Sequence, residues 1–163
     1  MCQLVASCTY THTSVSYTHL ASGIIYGTDV FSAIVLRPAL AQVDDHTLVS
    51  TMGRVHEIAD RRMRVPGVAG IVFAIAGTAL LAGAHHTGAT IAGVIAIVAL
   101  AIWLGVYARV SAPINARLTA AAKSGEVPSE TRLLQQRWDG VINTRSALQM
   151  IAILAFCVVL ISS

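Results

Sequence analysis

Four apolar stretches alternate with polar stretches along the chain. The apolar stretches cover about residues 18–36, 65–84, 89–108 and 146–161, and Asp29 is the one acid among them. A helix that crosses a bilayer needs about 20 predominantly apolar residues. The pattern therefore predicts four transmembrane helices.

The polar stretches carry helical signals of their own. Residues 39–64 combine an apolar stripe at helical spacing with interspersed charges, which predicts an amphipathic helix on the membrane surface. The stretch Ser111–Asn115 contains Pro113 and predicts a break in the chain. A helix from about Glu130 should continue without interruption into the fourth apolar stretch. The predicted fold class is all-α, a four-transmembrane-helix bundle with amphipathic cytoplasmic surface helices.

Composition supports a membrane location. Hydrophobic residues make up 55% of the chain and charged residues 12%, whereas soluble domains carry about 25% charged residues. The net charge of +3 does not by itself indicate nucleic-acid binding. The positions of the charged residues along the chain are more informative than their sum. The lipid bilayer is the partner that the composition predicts.

The positions of the basic residues predict an orientation. All 11 Lys and Arg residues fall between residues 37 and 64 or between residues 109 and 145. Cytoplasmic loops of membrane proteins carry an excess of Lys and Arg. We therefore expect an integral protein of the inner or plasma membrane, with residues 37–64 and 109–145 cytoplasmic and both termini outside.

The first twenty residues differ from the rest of the chain. They are rich in Thr, Ser and His, and Ser14–Leu20 resembles a translated sequencing adapter. We therefore treat residues 1–20 as an N-terminal segment of doubtful origin. Residues 21–163 are predicted to form a single four-helix membrane domain.

Asp29 is the first candidate for chemistry, because it lies near the middle of the first apolar stretch. An acid at the centre of a membrane helix costs roughly 2.5–3.5 kcal/mol on insertion scales, so it should face the protein interior and have a partner. Two roles stay open: a base, proton carrier or ion ligand, and a buried polar group that fixes helix packing. Tyr26 lies one helical turn from Asp29 and could share its hydrogen bonds.

Trp138 and Arg145 form the second candidate group. They are seven residues apart, or two helical turns, and so project from one side of the fourth helix. Arg145 could pair with Asp29 directly or through Asn115, Asn143 or water. Alternatively, Arg145 extends to the lipid headgroups and Trp138 anchors the membrane interface.

Several short elements together resemble the anthrone oxygenase-like family of small four-helix integral membrane proteins. They are Gly27-x-x-x-Phe31 followed by Arg37-Pro38, Pro113-x-Asn115, and Trp138 with Arg145 seven residues later. The resemblance covers roughly residues 21–161. It implies a membrane fold and, from some fungal relatives, oxidation of an anthrone to an anthraquinone by O₂. Most bacterial members of the family have no assigned function.

Such a reaction needs an apolar slot, a base, and a cation or hydrogen-bond donor for the oxyanion. Candidate catalytic residues are the base Asp29 and the donors Arg145 and Asn115, and the residues expected to contact a small lipophilic aromatic substrate are Tyr26, Tyr107, Trp138 and Asn143. No cofactor and no metal site are predicted.

The histidines give a weaker signal. His56-Glu57 lacks the second His of a zinc-binding HExxH motif. Haem ligation by His56 stays open.

Two other functions stay open beside the enzyme. The protein could be a non-catalytic membrane subunit whose polar residues specify packing, or a small-molecule carrier with Asp29 as a proton site. A homo-oligomer is compatible with each. A pocket enclosed near Asp29 and Arg145 would favour the enzyme, and a filled core would favour the subunit.

Overall fold

The computed structural model describes the backbone of residues 2–162 and the side chains of residues 16–162. Over this range the chain is helical and contains no strand, which confirms the predicted all-α class. The elements in chain order are α1 (Cys2–Phe31), a π-helical turn (Ser32–Leu36), α2 (Arg37–Leu40), α3 (Asp45–Arg62), α4 (Arg64–Gly83), α5 (Thr87–Val106), a second π-helical turn (Tyr107–Ser111), α6 (Ala112–Ser124) and α7 (Thr131–Ser162).

Four continuous helical segments of the described chain are long and apolar enough to cross a membrane, as predicted. They are Ser16–Leu40, Arg64–Gly83, Thr87–Ser124 and Thr131–Ser162. All four expose large aliphatic side chains, such as Ile34 at 69% and Leu154 at 58%. Exposed apolar surface of this extent is typical of a membrane or interaction surface.

The predicted break at Ser111–Asn115 is wrong. α5 runs through the π-helical turn into α6, and the backbone N–H of Ala112 bonds to the carbonyl of Tyr107. Proline lacks an N–H, and its ring clashes with the carbonyl four residues earlier. The wider turn lets the helix pass Pro113 without ending. A π-helical turn also precedes Pro38, and that helix continues to Leu40.

The doubtful segment 1–20 lies partly outside the described residues, since side chains before residue 16 are not described. Residues 16–20 belong to the first of the long apolar helical segments, Ser16–Leu40. Thr18 is buried at 1% exposure, and the ring of Tyr17 stacks on that of Phe73 at 5.6 Å.

Contacts divide the chain into two compact units. The first unit takes residues up to Tyr26 together with 65–102 and 147–163. Its core consists mainly of alanine side chains. The larger side chains Leu81, Leu100, Phe156 and Val159 complete it. A Cβ on Gly93 would lie 2.4 Å from the hydroxyl of Thr78, so α4 and α5 approach closely, as small residues allow in membrane helix pairs.

The second unit takes residues 27–64 and 103–146. Within it α3 packs closely against α6, which is possible because Gly53 has no side chain. A Cβ at this position would lie 2.3 Å from the Cβ of Ala122. The hydroxyl of Thr119 donates to the carbonyl of Gly53 at 3.1 Å, and Lys123 pairs with Glu57 at 2.7 Å. The predicted amphipathic helix therefore exists, and much of its apolar face is buried within the protein.

Candidate functional site

A buried ion pair between Arg145 and Asp29 lies at the centre of the candidate site. Nη2 of Arg145 is 2.6 Å from Oδ1 of Asp29, and the two side chains are only 8% and 4% exposed. Nη1 of Arg145 donates to the hydroxyl of Ser111 at 2.9 Å. Arg145 and Asp29 are therefore in direct contact, whereas the sequence allowed either a direct contact or one bridged by other groups.

Three aromatic rings surround the Arg145 guanidinium. Its central carbon lies 5.6 Å from the ring centroid of Trp103, 5.5 Å from that of Tyr107 and 5.8 Å from that of Trp138. The negative faces of aromatic rings attract a cation, by about 2 kcal/mol or more where the cation is desolvated. Trp103 also donates its indole N–H to Oδ2 of Asp29 at 3.0 Å. Both carboxylate oxygens of Asp29 therefore accept a hydrogen bond.

A second carboxylate, Asp60 of α3, accepts hydrogen bonds from two other polar side chains of the site. The hydroxyl of Tyr107 donates to Asp60 at 2.8 Å, and the side-chain amide of Asn115 donates to it at 3.0 and 3.2 Å. Trp138 donates its indole N–H to the carbonyl oxygen of that same amide at 3.0 Å. Asp60 is half-buried, so this carboxylate forms the more accessible edge of the site.

The second π-helical turn aligns four of these side chains. Trp103, Tyr107, Ser111 and Asn115 are spaced four residues apart, and in an α-helix each such step advances about 40° beyond a full turn. A π-helical turn contains more residues per turn, so the angle between side chains four residues apart is smaller than 40° there. All four side chains consequently reach one polar network.

Two polar atoms in this network lack a hydrogen-bond partner among the described residues: Nε of Arg145 and Nε2 of His56. The His56 ring packs against Trp138 with centroids 5.6 Å apart. Burial lowers the pKa of His56 to about 4, and the nearby carboxylate of Asp60 opposes that shift. The imidazole is therefore neutral at physiological pH.

Sequence reasoning did not find four members of this network: Trp103, Ser111, Asp60 and, as a site residue, His56. The spacing of His56 and Asp60 places both on one face of α3, and Met52 and Gly53 mark the buried side of that helix. Nothing in the local sequence around Trp103 shows that its indole N–H faces an acid 74 residues away.

Two predicted substrate residues are not among the members of this network. Tyr26 belongs to the first unit and is half-buried. Asn143 is exposed and lines an open groove of about 690 Å³ in the second unit. Asp29 and Arg145 do not line that groove. No three His, Cys, Asp or Glu side chains in the described part of the chain are grouped so that they could hold a metal ion.

The chain has no match among protein-family models, curated proteins or solved structures. The geometry of the site is that of a buried cation, balanced by a carboxylate and enclosed by aromatic rings, within an apolar helical protein.

Proposed function

We propose that this protein is a membrane enzyme of the anthrone-oxygenase type, which oxidises a small lipophilic aromatic substrate with O₂. The observation that carries the proposal is Nε of Arg145, a buried cationic donor inside an aromatic cage that has no acceptor within the part of the chain that the structure describes. An unpaired buried donor costs roughly 1–3 kcal/mol or more when it is charged. The oxyanion of a deprotonated anthrone would supply the missing acceptor, and its flat rings suit the aromatic surroundings.

The two carboxylates then take different roles. Asp29 has both oxygens occupied by Arg145 and Trp103, so it holds the guanidinium in place. Asp60 lies at the half-buried edge, where its oxygens accept hydrogen bonds from the neutral side chains of Tyr107 and Asn115. Unlike Asp29, it forms no ion pair among the described residues. Asp60 is therefore the better base, with the Tyr107 hydroxyl beside it to pass the proton on.

The chemistry balances with O₂ as the oxidant. The base removes a proton from the substrate CH₂, and Arg145 stabilises the resulting oxyanion. The electron-rich carbon is oxidised as it binds O₂, which is reduced to a peroxide on that carbon. Loss of the second C–H proton with cleavage of the O–O bond then gives the ketone and water.

The test measures O₂ uptake and quinone absorbance with purified full-length protein and a simple anthrone. Positioned general bases contribute about 10²–10⁴-fold, so we expect Asp60→Asn to lower kcat by that factor. Arg145→Lys should lower kcat because it keeps the charge and loses the planar set of donors. Arg117→Gln, which removes an exposed pair with Glu130, is the matched control and should leave turnover unchanged. Full activity of Asp60→Asn would exclude Asp60 as the base.

A non-catalytic membrane subunit is the second candidate, and one observation favours it. Trp103 donates a hydrogen bond to Asp29 and Trp138 donates one to Asn115, and all four side chains are buried. If the wild-type protein oxidises no member of an anthrone series while the Arg145–Asp29 pair strongly stabilises the fold, the network serves packing and not catalysis.

We further propose that residues 37–64 and 109–145 face the cytoplasm, as the positive-inside rule predicts. In a variant without the native cysteines, a membrane-impermeant maleimide added to intact cells should label His86→Cys and leave Glu126→Cys unlabelled. The reverse labelling pattern would invert the topology.

A further inference from the structure

The open groove of about 690 Å³ in the second unit has a lining that changes from apolar to charged. One wall is the end of the first membrane helix and α2, with Ala33 and Ile34 on its apolar part and Arg37 beyond them. The other wall is α7. The groove thus spans the transition from an apolar helix to the polar residues that follow it.

A polar stripe of α7 forms the second wall. Arg132, Gln135, Asp139 and Asn143 follow one another at spacings of three and four residues and all line the groove. Eleven residues separate the first from the last, which corresponds to about 16 Å along a helix. Residues three and four apart lie on the same helix face. This face carries polar groups into a segment that is apolar enough to enter the membrane.

Part of the hydrogen-bonding capacity in this groove is unused. Gln135 is 5% exposed, and its Nε2 donates to Oδ1 of Asp139 at 2.9 Å. Its Oε1 is buried and has no hydrogen-bond partner in the described range of the chain. The Arg37 guanidinium forms no hydrogen bond or ion pair among the described residues, although its charge acts on Asp139. Arg132 differs, because Asp45 and the carbonyl of Leu40 already engage it.

These groups define a ligand by complementarity. Arg37 requires an anion, and charge-assisted bonds between Arg and phosphate are among the strongest hydrogen bonds in proteins. The half-buried carboxylate of Asp139 favours a cationic donor, and an ammonium group offers three N–H donors. Ile34, 69% exposed, provides apolar surface beside them. A phosphate, a primary ammonium and hydrocarbon chains occur together in phosphatidylethanolamine. Phosphatidylserine also combines them, but it adds a carboxylate that the Asp139 carboxylate in this groove would repel.

We propose that this groove binds a phospholipid with a primary-ammonium head group, of the phosphatidylethanolamine class. The phosphate pairs with Arg37, and the ammonium donates to the carboxylate of Asp139. Phosphatidylcholine has no N–H to donate, and phosphatidylglycerol has no cation for Asp139. The lipid site is independent of the proposed oxidation and needs no turnover for its detection.

The first experiment changes the ligand and leaves the protein intact. The full-length protein is incubated with equimolar phosphatidylethanolamine, its N-methyl and N,N-dimethyl derivatives, phosphatidylcholine and phosphatidylglycerol, and retained lipid is counted by native mass spectrometry. We expect retention to fall along the methylation series, by about tenfold from phosphatidylethanolamine to phosphatidylcholine, as for the loss of one charge-assisted hydrogen bond. Equal retention of all lipids would overturn the proposal. Displacement of the lipid by equimolar free phosphoethanolamine would also overturn it, because the ligand would then be soluble.

The second experiment changes the protein. Asp139→Asn should erase the preference for phosphatidylethanolamine over phosphatidylcholine, and Arg37→Gln should lower retention of both about tenfold. Arg137→Gln is the control, since it removes an exposed cation from the same helix outside the groove. If Arg137→Gln lowered retention as much as Arg37→Gln, binding would reflect general charge, and the assigned site would be wrong.

Discussion

The Arg145–Asp29 pair allows the sharpest test of the site, because both charges are almost fully buried. Their atoms are 2.6 Å apart, and the side chains are 8% and 4% exposed. Two unit charges about 4 Å apart attract by about 4 kcal/mol at an effective dielectric constant of 20. Removing one partner of a buried pair typically costs about 3–5 kcal/mol, because the other charge is left without compensation.

The two single substitutions should differ. In Asp29→Asn the Arg145 cation keeps its three aromatic rings, so we expect a loss of about 3 kcal/mol, the lower end of the range. In Arg145→Met the Asp29 carboxylate keeps, among the described residues, only the Trp103 hydrogen bond, so the loss should be nearer 5 kcal/mol, the upper end. The double variant buries no charge and should cost much less than the sum.

The assay is the free energy of unfolding in mixed detergent micelles, measured for the wild type, both single variants and the double variant. We expect a coupling energy of at least about 3 kcal/mol. The same cycle on the exposed Arg117–Glu130 pair should give about 1 kcal/mol or less. A coupling below about 1 kcal/mol for the buried pair would refute the claim that each charge compensates the other.

Two further predictions concern the way α3 holds the site. Gly53→Ala should lower the free energy of unfolding by about 1–3 kcal/mol, because the new Cβ would meet side-chain and backbone atoms of α6. The control is Gly140→Ala, where a Cβ meets nothing within 4 Å; it should be neutral or stabilising by about 0.5–1 kcal/mol. Equal effects of the two substitutions would contradict the close packing of α3 on α6. The second prediction concerns pH. The pKa of His56 is about 4 in the folded state and about 6.5 in the unfolded state. Between these two pH values the unfolded chain binds more protons, so the free energy of unfolding falls as pH drops through that window. From pH 7.5 to pH 5 this loss should be about 2 kcal/mol and should disappear in His56→Gln; an identical loss in that variant would show that another group titrates.

Much of the fold was predictable because its signals are local. Apolar runs of membrane length are visible in a linear chain, and the four spans were correctly predicted. The break at Ser111–Asn115 was wrong, because proline statistics take no account of a π-helical turn that accommodates Pro113. The helix within 39–64 was correctly predicted, but its docking on α6 depends on Gly53, whose role cannot be seen without the facing helix.

The candidate site was only partly predictable, for a related reason. The sequence alone determined that Asp29 must avoid lipid and find a partner, because the energetic cost of a buried charge does not depend on the fold. Only the tertiary structure decided that the partners are Arg145 and Trp103, that Asp60 joins through Tyr107 and Asn115, and which donor remains unused. These contacts join residues tens of positions apart, and their existence depends on how whole helices pack.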